Sequence, residues 1–88
     1  MSMGIDIMFE FNNDQIGNTI KRLRKGKGLS QEVLSSFAGI ARSHLSMIEN
    51  GTKQANFETI CKIACALEMQ PHELVKAIEE DAENHSSV

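Results

Sequence analysis

No stretch of this 88-residue chain approaches the roughly 18 consecutive apolar residues of a membrane-spanning helix, so no bilayer crossing is expected. The first eleven residues carry Asp6 and Glu10 and no basic cluster, unlike a secretory leader, and the expected location is the cytoplasm. Cysteine is scarce. Cys61 and Cys65 stand one helical turn apart, a poor geometry for a mutual disulfide, and read as reduced thiols used as small hydrophobes. His44, His72 and His85 are scattered and match no zinc spacing, so no metal site is expected. No acid, base and nucleophile gather. Ser43 and His44 are neighbours, but adjacent residues on a helix point apart. The expectation is a protein that is not an enzyme, with no catalytic residue, no cofactor and no small-molecule ligand. Apolar residues, at 41%, are enough for a core and too many for a disordered chain. The length allows one domain, whose small core is marginal unless it is helical and tightly packed, or oligomeric.

Charge is unevenly spread. A net charge of −3 would argue against a nucleic-acid partner if it were uniform. Residues 1–20 hold Asp6, Glu10 and Asp14 and no base. Residues 21–53 hold Lys21, Arg22, Arg24, Lys25, Lys27, Arg42 and Lys53 against only Glu32 and Glu49. Residues 54–88 are acidic again, with Lys62 and Lys76 outnumbered by seven acids. Local potential rather than net charge attracts phosphate, so the basic middle is the segment to read for function.

That middle contains SQEVLSSFAGIARSHLSMIENG, residues 30–51. Ser30 suits a helix N-cap, and Leu29 can staple to Leu34. Gly39 can take a positive φ without steric cost, which lets the chain turn sharply after Phe37-Ala38. Ile40 and Leu45 repeat the staple around Ala41, and Gly51 after Asn50 is placed as a terminating glycine. Two short helices joined by a Gly-containing turn form a helix-turn-helix pattern.

Around this unit the chain reads as helix throughout, with one exception. Ile5, Ile7, Phe9 and Phe11 alternate with Asp6, Met8 and Glu10, which is strand periodicity. No second segment offers it a partner, and a lone strand is not stable. Either it is a disordered leader or it pairs with its copy in a dimer; the cost of exposing four large apolar residues favours the second. Asn12, with Gln15 at N3, caps a first helix whose apolar face is Ile16, Ile20 and Leu23, ended by Gly26 and Gly28. Asn56 caps a fourth, with Phe57, Ile60, Ile63, Ala64 and Leu67 on its apolar face. Pro71 stands at N1 of a fifth, with Leu74, Val75 and Ile78 as its apolar face. From Glu79 the acidic, polar composition reads as a frayed tail. The expected fold is all-α, with five helices: an N-terminal extension (1–13) able to form a strand in a dimer, a domain (14–79) and an acidic tail (80–88).

A helix-turn-helix lays its second helix in the major groove, where the first residues of that helix reach base edges. Leu34, Ala38, Ile40, Leu45 and Ile48 supply the buried side, and Ser35 is small enough for a close helix crossing. Arg42, Ser43, His44, Ser46 and Met47 are left outward. Arg42 can bond guanine O6 and N7 together, Ser43 can donate or accept, and Met47 can touch a thymine methyl. Gln31 and the free N–H groups beside it can hold a phosphate. Asn50, Thr52 and Lys53 are spaced to bind backbone beyond the second helix. One such unit reads few bases, so specificity on double-stranded DNA calls for a homodimer on a palindrome. Ile5, Ile7, Phe9 and Phe11, or Val75 and Ile78, are the candidate dimer surfaces.

These residues resemble the lambda-repressor/Cro-type helix-turn-helix family, also called the xenobiotic-response-element-like family. Ser30-Gln31-Glu32 with Leu34, Ala38-Gly39-Ile40, Leu45-Ser46 and Ile48-Glu49-Asn50-Gly51 carry the likeness. Ile63-Ala64, Ala66-Leu67 and Glu73-Leu74 extend it over about residues 14 to 78. The resemblance implies a five-helix lambda-repressor-like domain that binds operator DNA as a homodimer. By position it assigns Gln31, Arg42, Ser43 and Met47 to base contact, with Ala41, His44 and Ser46 as further possibilities. It assigns Asn50 to phosphate, and Arg24 and Glu49 to a buried ion pair. The sequence departs from the pattern at Ala41, where Ser or Thr usually caps, at Ala55, usually Pro, and at Phe37, usually polar. The expected function is a transcriptional regulator, a repressor of the phage, restriction–modification or toxin–antitoxin type. The alternative is an antitoxin or interaction module that holds a partner protein through the N-terminal segment.

Overall fold

The computed structural model describes residues 12–86, so the proposed strand and the dimer contacts Ile5, Ile7, Phe9 and Phe11 lie outside the described residues. The fold starts at Asn12, whose Oδ1 accepts from the Gln15 N–H at 2.7 Å. In return the Gln15 Oε1 accepts from the Asn12 N–H, completing a capping box. This launches α1 (Asn13–Gly26), after which Gly28 takes φ +71° and turns the chain. The Ser30 Oγ accepts from the Val33 N–H at 3.1 Å and starts α2 (Gln31–Ala38). After the turn comes α3 (Arg42–Glu49). The Asn56 Oδ1 accepts from the Thr59 N–H at 2.8 Å at the start of α4 (Phe57–Ala66). The Gln70 N–H donates to Glu73 Oε1 at 2.7 Å ahead of Pro71, the first residue of α5 (Pro71–Ser86). Among the described residues there is no strand, and no helix is long and apolar enough to cross a membrane.

The five helices of the described residues close a ring. α1 packs on α3 and α5, α2 packs on α3 and α4, and α4 packs on α5. The inward residues recur three and four apart, as an amphipathic helix requires, and meet at one core of Ile20, Leu34, Leu45, Ile48, Ile63, Leu67 and Leu74. Burying each such side chain is worth about 1.5–3 kcal/mol, which is how a chain this short holds a fold. Gly17 lets α1 come close to the end of α3: a Cβ there would strike the carbonyl oxygens of Ile48 and Glu49. Both are backbone atoms of the helix behind the turn, so this glycine sets how near the two helices lie.

Three expectations are corrected. The tail expected to fray from Glu79 is helical to Ser86. Asp81 is the reason, since it accepts from Thr19 Oγ1 at 2.7 Å and from Arg22 Nε at 3.1 Å, pinning α5 along α1. Ile78 is not a dimer contact, because it is 4% exposed and belongs to the core. It shares the inward face with Leu74, four residues earlier, whereas Val75 points away and is exposed. Phe57 does not face the core: it is 74% exposed. It is the first residue of α4, and the packed stretch of that helix begins only at Thr59 and Ile60. Phe37 is also exposed, on α2, and borders an open groove with Leu29, Cys65 and Ala66. Both cysteines are free, Cys65 exposed and Cys61 half-buried.

Candidate nucleic-acid interface

The turn between α2 and α3 is fixed by backbone. Gly39 adopts φ +72°, ψ 32°, and the Ile40 N–H reaches back to the Ser35 carbonyl at 3.0 Å. This is a left-handed helix stop, open to glycine at no cost. Ser35 is buried and donates to the Glu32 carbonyl, so a small polar residue sits at the crossing without an unpaired hydroxyl. Leu34, Ala38, Leu45 and Ile48 then bury the inner sides of both helices.

What α3 leaves outside is a short polar edge. Ala41, Arg42 and Ser43 are exposed, and so is Met47, one turn beyond Ser43. His44 and Ser46 are half-buried. Ala41 occupies the N-cap with extended backbone and no side-chain cap, and the first turn of α3 holds no acid. The N–H groups there carry the positive end of the helix dipole, beside the Arg42 guanidinium, and favour an anion.

The far end of α3 continues the surface. Asn50, Thr52 and Lys53 are exposed. Asn50 Oδ1 accepts from the Thr52 N–H at 3.0 Å and lies 2.7 Å from Thr52 Oγ1. The Asn50 carbonyl is thus committed inside the loop, and its NH2 is the end available to donate outward. Gly51, at φ +85°, follows α3 and lies against Asp14 of α1.

Beneath the edge lies a buried charge network. Arg24 of α1 donates from Nε to Glu49 Oε2 at 2.7 Å and from Nη2 to Glu49 Oε1 at 2.9 Å. Its Nη1 donates to the Leu29 carbonyl at 2.7 Å. Side-chain exposure is 8% for Arg24 and 2% for Glu49, so the pair is shielded from water and salt. The hydrogen bond to Glu49 raises the Arg24 pKa; burial opposes it and the Glu49 charge adds to it. Gln31 joins the network, its Nε2 donating to Glu49 Oε1 at 3.0 Å. The start of α2, the end of α3 and α1 are therefore tied at a single carboxylate.

The structure brings Ala41, Arg42, Ser43 and Met47 together along α3, with Asn50, Thr52 and Lys53 just beyond. Gln31 stands apart from them, half-buried and bonded to Glu49. Sequence reasoning missed the Gln31–Glu49 bond, which links residues 18 positions apart and leaves no periodic trace. It also missed Gly17, whose role depends on how closely α1 meets the end of α3. The basic residues divide as well: Arg22 pairs with Asp81 and Lys27 lies 3.6 Å from Glu68. Lys21, Lys25, Arg42 and Lys53 make no ion pair among the described residues.

Comparison with known proteins adds to this geometry. A family model described as helix-turn-helix matches residues 20–74. The chain is 34% identical over 65 residues to an HTH-type transcriptional regulator of Sinorhizobium fredii, covering 74% of this chain and 84% of that protein. It is 35% identical over 68 residues to control protein C.MunI of a Mycoplasma species, covering 76% of this chain and 92% of that protein. Among solved structures it is similar to the restriction-modification controller protein C.AhdI of Aeromonas hydrophila. The TM-score there is 0.68 at 37% identity, over 70% of this chain and 94% of the other.

Proposed function

Since the chain belongs to the helix-turn-helix family, we propose that it is a sequence-specific DNA-binding transcriptional regulator, a repressor acting as a homodimer on a palindromic operator. α3 lies in the major groove. Arg42, Ser43 and Met47 contact bases, and Asn50, Thr52 and Lys53 hold phosphates. The exposed dimer candidate among the described residues is Val75. The likeness to C.MunI and C.AhdI favours a restriction–modification controller within this class. Such a regulator works in the cytoplasm.

The observation that carries the reading is the first turn of α3, exposed, uncapped and acid-free beside Arg42, on a helix held from behind by a buried ion pair. The electrostatics face one way: an anion is welcomed at the end of the very helix whose outer edge can read bases.

Selection of bound sequences from a random duplex pool tests it. The expected product is a palindrome with half-sites about 34 Å apart. Arg42→Ala should then lose about 1–3 kcal/mol on that sequence and relax its preference at one base pair. Recovery of no enriched sequence would favour the interaction-module alternative.

A further inference from the structure

A groove between α2 and α4 is left open on the side of the domain away from α3. Leu29 and Ala66 line it half-buried, Cys65 lines it exposed, and Phe37 borders it with 67% of its surface in water. Lys27 and Glu68 form its rim, 3.6 Å apart. Its volume of about 560 Å³ falls within the roughly 300–1,000 Å³ of sites that enclose a small ligand, so it has room for side chains. A single exposed apolar residue is ordinary, but a large ring beside an open apolar groove marks a contact surface. The sequence supplies a matching piece outside the described residues. Ile5, Ile7, Phe9 and Phe11 fall on one side of an alternating segment, with Asp6 and Glu10 on the other.

Reach decides whose groove this segment fills. It joins α1 at Asn12, whereas the groove begins past the other end of α1, at Lys27 and Leu29. α1 has 14 residues and is roughly 21 Å long at 1.5 Å per residue. A strand advances about 3.3 Å per residue, so about six or seven residues would be spent running back along α1 of the same copy. Only residues 1–5 would then arrive at the groove. Ile7, Phe9 and Phe11 would lie along Asn18, Lys21, Arg22 and Lys25, which are exposed, polar and unable to cover them. A second copy imposes no such limit. We infer that residues 4–11 form an arm that lies in the α2–α4 groove of a second copy. Its apolar side meets Leu29, Phe37 and Ala66, and Asp6 and Glu10 face water. The exchange is mutual: each copy's arm fills the other's groove, and the pair closes with two-fold symmetry. This rests on the homodimer of the reading above and gives that homodimer its surface.

The chain has no Trp, so Phe37→Trp places a single indole at the groove. In the full chain its emission should be shifted to the blue and shielded from iodide while the protein is dimeric, and should become exposed on dilution. Ile7→Asp with Phe9→Asp in the same chain should leave the indole exposed at every concentration and raise the dimer dissociation constant about tenfold or more, measured by sedimentation. Ile7→Ser with Phe9→Ser serves if the acidic version does not fold. Three outcomes overturn the inference. An indole shielded equally at all dilutions seats the arm in its own groove. An indole exposed within a dimer that the arm variant still breaks means that the arms pair with each other. A dimer indifferent to the arm variant is held elsewhere, with Val75 the exposed candidate. None of these touches the DNA-binding reading, which fails only if the selection from random duplexes enriches no sequence.

Discussion

Arg24 holds both oxygens of Glu49 while little of either side chain meets solvent, so neither charge has water to turn to if its partner is lost. Arg24→Met should therefore cost about 3–5 kcal/mol, most of it the penalty of an unpaired buried carboxylate. A urea titration should give a lower midpoint with an unchanged slope. Adding Glu49→Leu to that variant should recover much of the loss, since a well-packed apolar pair often replaces a buried ion pair. Because the Arg24 pKa is raised, the Arg24 contribution to stability is complete at neutral pH and is lost only in strong alkali. At this scale the sequence was legible where a pattern fixes a position. The Arg24–Glu49 pair followed from resemblance, and the outward setting of Arg42, Ser43 and Met47 followed from helical period. The bond from Gln31 to Glu49 did not, because it depends on how α2 meets α3 in three dimensions.

At the scale of elements, α3 is short and starts at Ala41 without a side-chain cap. Ala41→Ser should add about 1 kcal/mol by supplying a hydroxyl acceptor for an N–H of the first turn. The melting temperature reads this directly, and no gain would mean that this end of α3 is already satisfied by other means. The helix starts were legible because a cap is a local signal: Asn12, Ser30 and Asn56 each stand just before an apolar run. Helix ends and faces were less so. The composition after Glu79 argues for fraying, and only a partner about sixty residues away in sequence overrules it. Asp81→Ala removes both Thr19 and Arg22 from α5 at once. Amide exchange should then speed up over residues 79–86 while the amides around Ile63 and Leu74 stay protected. Uniform exchange across the domain would instead make Asp81 a support for the whole fold. Phe57 carries the same lesson: it matches the periodicity of α4, but it stands exposed at the head of that helix, ahead of the buried Thr59 and Ile60.

At the scale of the whole molecule, an acidic protein approaches an acidic polymer, and the distribution of its charge decides the outcome. The bases of residues 21–53 are not equivalent. Arg24 is buried in its pair with Glu49, Arg22 is drawn to Asp81, and Lys27 lies near Glu68. Among the described residues Lys21, Lys25, Arg42 and Lys53 remain exposed and unpaired by acids, so they have charge to give to phosphate. Of these, Lys53 lies in the loop beyond the end of α3, away from the first turn proposed to read bases. Each phosphate neutralised releases condensed counterions, and the logarithm of affinity falls with the logarithm of salt by about 0.9 per contact. Lys53→Gln should therefore make this slope shallower by about 0.9 for each protomer bound, and weaken every sequence by the same factor. Arg42→Ala should act in the opposite manner, with a large loss on the operator and a small one on unrelated duplexes. Titrations of both variants from low to physiological salt, on operator and on random duplex, separate the two roles. A Lys53→Gln protein with the parent slope would remove Lys53 from the backbone contacts and shift that role to Asn50, whose free NH2 carries no charge and changes the slope little.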